Sequence, residues 1–330
     1  MLILTAFAWP STVRAQVATA GQGAECLPNR PAPVQARTDA VNAAPTLFLP
    51  KLELARCYDL SWRMADVEPA ILNALAALRV EARTSQMTRA ALPAGLLAGI
   101  DVPPPTLMSE VTPEYPSKAY VNGVAGLVIV EAVIDKDGRI KQARAAEPVA
   151  GLDDAAVRAV RQSRFVPTNR NGQLVEVVQY VPVRFGQTPD LWASDWLQVA
   201  RFYYSRGLPQ LAEGALESAR ARAQRDYDRY GEISGVTGTA GRMATPPTRL
   251  MSMAPVYPQE ALRAGVSGVV QLQILVDRFG AVGRAVVLKS APMLDMAALQ
   301  SVLRWKFSAA QVNGQPVSTS LNTIVTFNRR

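Results

Sequence analysis

Residues 269–276 read Val-Val-Gln-Leu-Gln-Ile-Leu-Val, where Val270, Leu272, Ile274 and Val276 alternate against Gln271 and Gln273. A period of two predicts a strand with one face buried. Residues 127–134 are apolar on both faces, so periodicity alone does not assign them. Their surroundings do. Asp277-Arg278-Phe279-Gly280 follows the first stretch and Asp135-Lys136-Asp137-Gly138 the second, both with Asp first and Gly fourth. An Asp that bonds turn amides and a Gly free to take positive φ predict a hairpin turn. Leu152-Asp153-Asp154-Ala155-Ala156 then opens a helix with an Asp cap, and Ala156 and Val160 stand one turn apart toward the sheet. Asn171-Gly172 and Asn313-Gly314 mark a further turn. The last strand alternates Val175, Val177, Gln179, Val181, Val183 and Phe185 in one place, and Val317, Thr319, Leu321, Thr323, Val325 and Phe327 in the other.

These are two copies of one unit, 113–187 and 255–329, aligned without a gap at the spacing that separates Tyr115 from Tyr257. Pro113, Pro116, Ala119, Gly123, Gly126 and Phe165 recur as Pro255, Pro258, Ala261, Gly265, Gly268 and Phe307. Two copies at fixed spacing share one fold. The shared register turns Val128, Val130, Ala132 and Ile134 inward. Strand, strand, helix, strand predicts an α+β domain, a three-stranded sheet covered by one helix.

Outside the copies the pattern changes. Residues 1–15 are expected to be a signal peptide: an apolar run from Met1 to Trp9, then Val13-Arg14-Ala15, though an apolar tail without a basic start is the alternative. Residues 16–106 hold a Pro- and Ala-rich arm to about residue 50, then a helical segment over 52–83 with Pro69 at a helix start. Pro103-Pro104-Pro105 closes that region as a stiff linker into repeat 1, 107–188. A helical hairpin over 189–230 turns at Gly207-Leu208-Pro209, a linker follows over 231–248, and repeat 2 is 249–330. The repeat spacing lays 54–83 over 196–225, so the duplicated module extends into the helices.

The chain of 330 residues contains no histidine, which removes the commonest general base and zinc ligand. No enzyme, cofactor or metal site is expected. Asp135-x-Asp137-Gly138 lacks the spacing of a calcium loop, and Phe279 replaces Asp137 in the other copy. A net charge of +8 in an exported chain points to envelope anions rather than nucleic acid. Cys26 and Cys57 are the only cysteines. They fit either a disulfide closing an N-terminal loop or two buried thiols.

The run P-x-Y-P-x-x-A-x-x-x-G-x-x-G, strand-Asp-x-x-Gly, Leu-Asp-x-Ala-Ala, Asn-Gly-Gln and a terminal Val-x-Phe resembles the C-terminal domain of the TonB energy transducer family, twice over. The resemblance implies periplasmic domains that recruit extended peptides, the TonB boxes of outer-membrane receptors, onto the last strand. It implies peptide contacts at Glu114, Tyr115, Pro116, Gln179, Val181, Val183 and Phe185, and at Tyr257, Pro258, Leu321, Thr323, Val325 and Phe327. A transducer also has an inner-membrane helix bearing a histidine, which this sequence does not show, so the expectation is an accessory to TonB-dependent transport. The alternative is an envelope scaffold or assembly module, including a homodimer made by edge-strand pairing. Pro182 stands where the other copy has Ile324. If that amide faces outward, the second copy is the better strand acceptor.

Overall fold

The computed structural model describes residues 26–28, 32–84, 95–109, 111–186, 190–231, 233–235 and 245–328. The expected signal peptide and part of the linker lie outside the described residues. The N-terminal region forms α1 (Ala32–Ala43), α2 (Phe48–Leu60) and α3 (Met64–Thr84), then the short strands β1 (Leu96–Leu97) and β2 (Leu107–Ser109). Repeat 1 holds α4 (Ser117–Val121), β3 (Gly126–Ile134), β4 (Ile140–Glu147), α5 (Asp153–Gln162), β5 (Arg164–Phe165), β6 (Thr168–Arg170), β7 (Gln173–Val175) and β8 (Val177–Phe185). Helices α6 (Ala193–Ser205) and α7 (Pro209–Tyr230), β9 (Ser234–Gly235) and β10 (Arg249–Met251) follow. Repeat 2 holds α8 (Gln259–Arg263), β11 (Gly268–Val276), β12 (Val282–Lys289), α9 (Asp295–Val302), β13 (Lys306–Phe307), β14 (Ala310–Val312), β15 (Gln315–Val317) and β16 (Thr319–Phe327).

The chain divides into two compact units. One comprises Met1–Arg89 with Trp192–Asp228, the other Ala90–Leu191 with Arg229–Arg330. The first is helical. Its helix starts expose amides that distant carboxylates satisfy: Glu81 accepts the Phe48 amide at 2.7 Å and the Tyr204 hydroxyl at 2.6 Å, and buried Asp59 accepts the Ser194 amide at 2.9 Å. Burial and the Glu81 bond both push the Tyr204 phenol well above its ordinary range. Arg79 to Glu213 and Arg220 to Glu68 tie α3 to α7. Cys26 and Cys57 are bonded to each other.

Two expectations fail in this unit. The arm is helical from Ala32 to Ala43, because its alanines favour a helix and Pro33 sits in the first turn, where an amide has no helical partner. Residues 52–83 are parts of two helices, and Pro69 lies inside α3 rather than at its start. The break falls at Ser61-Trp62-Arg63, where Trp62 takes a positive φ of 60°.

The second unit contains both repeats as α+β domains. In each, the first strand of the repeat (β3 or β11) is central and pairs antiparallel with its hairpin partner and with the last strand. Val128, Val130, Ala132, Val183 and Phe185 bury against Leu152, Ala156 and Val160 of the α5 region. Val270, Leu272, Ile274, Val325 and Phe327 do the same with Leu294, Ala298, Val302 and Trp305. Both faces of β3 are buried, with Leu127, Ile129 and Glu131 on the face away from α5. That accounts for its nearly continuous apolar sequence, interrupted by Glu131, which accepts from Arg144 on β4 at 2.8 Å.

The repeated landmarks fix the turns. Asp135 accepts the amides of Asp137 (2.9 Å) and Arg139 (2.8 Å), and Asp277 those of Phe279 (3.0 Å) and Ala281 (2.9 Å). Gly280 has φ of 81°, and a Cβ there would stand 1.9 Å from the Phe307 carbonyl oxygen, so the turn excludes any side chain. Asp153 does not cap its helix as expected. The N-cap position is Leu152, and Asp153 instead accepts the Val149 amide at 2.7 Å, as Asp295 accepts that of Ala291 at 2.8 Å. The repeat thus keeps an aspartate that fastens the preceding loop to the helix.

Candidate functional site

The three strands of each predicted sheet are joined by a fourth, so the orders are β1-β8-β3-β4 and β12-β11-β16-β9. The added strands β1 and β9 come from the chain upstream and run parallel to the last strand. Each covers only its first two residues: Leu96 and Leu97 opposite Val177 and Val178, Ser234 and Gly235 opposite Thr319 and Ser320. Among the described residues no other strand pairs with the rest of either edge.

One bond fixes which groups that edge presents. Ala98 donates its amide to the Val178 carbonyl at 2.9 Å, so Val178 directs its backbone groups outward, away from β3. Backbone direction alternates along a strand, and the register with β3 runs unbroken from Gly126↔Phe185 to Ile134↔Val177. Tyr180, Pro182 and Arg184 therefore face outward as well. The second repeat has the same unbroken register, which places Ser320, Asn322, Ile324 and Thr326 outward.

The two edges differ in chemistry. In β8 the outward position 182 is a proline with no amide, the Tyr180 carbonyl accepts the Gln179 side-chain amide at 3.0 Å, and Arg184 adds a charge. Proline and charge are the devices by which edge strands avoid adding further strands. β16 reads Thr-Ser-Leu-Asn-Thr-Ile-Val-Thr-Phe, without charge or proline, and Ile324 is 57% exposed. The outward amides and carbonyls of Asn322, Ile324 and Thr326 have no partner among the described residues.

A scan against protein families matches "Gram-negative bacterial TonB protein C-terminal" at residues 111–186 and again at 253–328. Protein TonB from two strains of Xanthomonas campestris pv. campestris is 43% identical over 75 residues, covering 22% of this chain. The matched stretch spans 34% of the length of those relatives. The solution structure of the Pseudomonas aeruginosa TonB C-terminal domain aligns at 23% identity over 30% of this chain and 100% of its own length, with a TM-score of 0.23. The chain carries two TonB C-terminal domains.

Within each TonB C-terminal domain, the residues named from the sequence fall into three environments. Glu114 is exposed, while Pro116 and Pro258 occupy the N-cap positions of α4 and α8. The tyrosines serve the fold. Tyr115 donates its hydroxyl to the Val124 carbonyl at 2.6 Å and packs edge-on against Phe185, and Tyr257 repeats both contacts with Val266 and Phe327. Burial, then the neighbouring Tyr120, pushes the Tyr115 phenol up to about 12. Val183, Phe185, Val325 and Phe327 are buried in the cores, while Gln179, Val181, Leu321 and Thr323 are half-buried on the same face. The open backbone groups belong to the alternate residues, which the side-chain pattern does not single out.

A second feature joins the two TonB C-terminal domains. Tyr120 of the first donates its hydroxyl to Gln300 Oε1 on α9 of the second at 2.9 Å, and Tyr115 and Tyr120 both pack against the second core. Tyr120 stands where the second domain has Leu262, which is exposed. The outer face of α9 is adapted to this contact, with buried Met296 and Leu299 where α5 has exposed Asp154 and half-buried Val157. These replacements are visible in a comparison of the copies, because a residue kept in only one copy serves that copy's surface.

Proposed function

We propose that this is a periplasmic, non-catalytic binding protein whose second TonB C-terminal domain takes an extended peptide onto β16 by strand addition. The peptide is of the class formed by TonB boxes of outer-membrane receptors, and the protein acts as an accessory to TonB-dependent transport. The observation that carries this reading is the edge of β16: three successive outward residues whose amides and carbonyls have no partner among the described residues, in a strand with no charge or proline. Such an edge completes its ladder with another chain unless it is protected. The first domain contributes its contact with α9, and its own edge is closed by Pro182 and by the Gln179 side chain. Among the described residues no helix is long and apolar enough to cross a membrane.

The test is titration of fluorescently labelled TonB-box peptides against the full chain. Saturable binding with one peptide per chain is expected. No saturable binding would sink the reading in favour of an envelope scaffold, and two equivalent peptides per chain would sink the assignment to the second domain.

A further inference from the structure

The start of the β16 edge is already occupied by the chain itself, through β9 at Thr319 and Ser320. Two anchors just upstream of β9 hold it there. Arg229 donates from Nε (2.9 Å) and Nη2 (2.7 Å) to Oδ2 of Asp277, whose other oxygen organises the β11–β12 turn. Tyr230, itself buried, brings its hydroxyl to the open side of Gly283, where an added Cβ would meet that oxygen at 1.8 Å. Gly283 has no positive φ, so the backbone does not require glycine here. The space does.

Gly283 is also the extra residue of a β-bulge, since Leu275 pairs with Arg284 and Val276 with Val282. The first domain has the same bulge but places Lys141 there, paired with Glu176 at 2.8 Å. The notch is therefore particular to the domain with the open edge. β12 and β9 lie on opposite sides of the sheet, three strand spacings or about 14 Å apart.

We propose that β9, with Arg229 and Tyr230 as its anchor, is a strap in cis that competes with an incoming strand for the start of β16. Its seat is the Tyr230–Gly283 notch. With the strap docked, a guest has Leu321 to Phe327 to pair with. With it released, the track lengthens to the whole strand. This rests on strand addition at β16, and it adds that the protein itself sets how much of the edge is available.

The experiment compares the full chain with Gly283→Ala, which fills the notch, and with Tyr230→Ala, which removes the side chain that occupies it. Amide hydrogen exchange followed by NMR is read at Ser320, whose outward amide faces β9, and at Ile324, whose amide is free. In the unmodified protein Ser320 is expected to exchange roughly tenfold or more slowly than Ile324. In both variants that difference disappears, while the central Ile274 amide stays protected and shows that the domain remains folded. A Ser320 amide that keeps its protection in both variants overturns the proposal, as does one that is unprotected from the start. Labelled TonB-box peptide is then titrated against all three proteins, and about three- to tenfold tighter binding is expected for the variants. Equal affinity for all three refutes competition. Binding to none refutes capture at β16 and the competing role with it, while the exchange data still show whether the strap caps the edge.

Discussion

Replacing Ile324 with proline tests strand addition at the position where the two domains already differ. The substitution removes one outward amide and leaves the inward ladder to β11 untouched. The domain tolerates it by precedent, because Pro182 holds the matching place in β8 with an unbroken register to β3. Ile324 is more than half exposed, so little buried area is lost. The effect on capture is larger. One net hydrogen bond is worth about 0.5–1.5 kcal/mol, and a guest carbonyl held against the pyrrolidine ring, shut off from water, adds about 1–3 kcal/mol. A total of about 1.5–4.5 kcal/mol corresponds to roughly tenfold to a thousandfold weaker binding. Fluorescence anisotropy with a labelled TonB-box peptide measures it, and a thermal melt confirms the fold. An affinity within about twofold of the original, with a normal melt, would refute capture through the Ile324 amide.

Three further outcomes follow from the geometry. Gly280→Ala is expected to destabilise repeat 2 by well over 1 kcal/mol, because the new Cβ meets the Phe307 carbonyl; Gly314→Ala, with similar positive φ and open space, costs about 1 kcal/mol. Urea unfolding of the two variants checks the order, and equal losses would contradict the contact. Reduction of the Cys26–Cys57 bond, 31 residues apart, releases a loop whose closure contributes about 3.5 kcal/mol, so urea unfolding of the helical unit with and without reductant should differ by that order. Tyr115 is protonated up to about pH 12 when folded but only to about 10 when unfolded, so its contribution is complete below pH 10 and is lost as pH rises toward 12. The stability gap between the protein and Tyr115→Phe should close over that window, and a constant gap would disprove the assignment.

The sequence pattern made the sheets legible because their signals are local. Alternation over 269–276, Asp first and Gly fourth in the hairpin, and Asn-Gly with both residues at positive φ each act within a few residues. The strands β1 and β9 left no such signal, since two residues carry no periodicity and their pairing is set by distant chain. The candidate site was legible to the strand but not to the residue. Side-chain alternation marks Leu321, Thr323, Val325 and Phe327, three of which pack in the core beneath α9, whereas the proposed strand addition uses the backbone of Asn322, Ile324 and Thr326. Tyr115 and Tyr257 were conspicuous for the opposite reason. Their repetition reflects a hydroxyl bond that pins the loop before the central strand.

The placement of β1 and β9 also bears on how a tandem duplication folds. Two sheets of one design on one chain are at risk of exchanging strands, a common failure of repeated domains. Each cap lies N-terminal to the strand it covers, β1 before β8 and β9 before β16. Synthesis proceeds in that direction, so each last strand emerges when its own cap is already present. A cap already in place offers the strand a local partner at its first two residues, and in the first copy Pro182 leaves a gap in the outward ladder that a misplaced strand would have to bridge. The same two residues that cover the start of each edge in the finished protein thus favour pairing within a copy while the chain is being made.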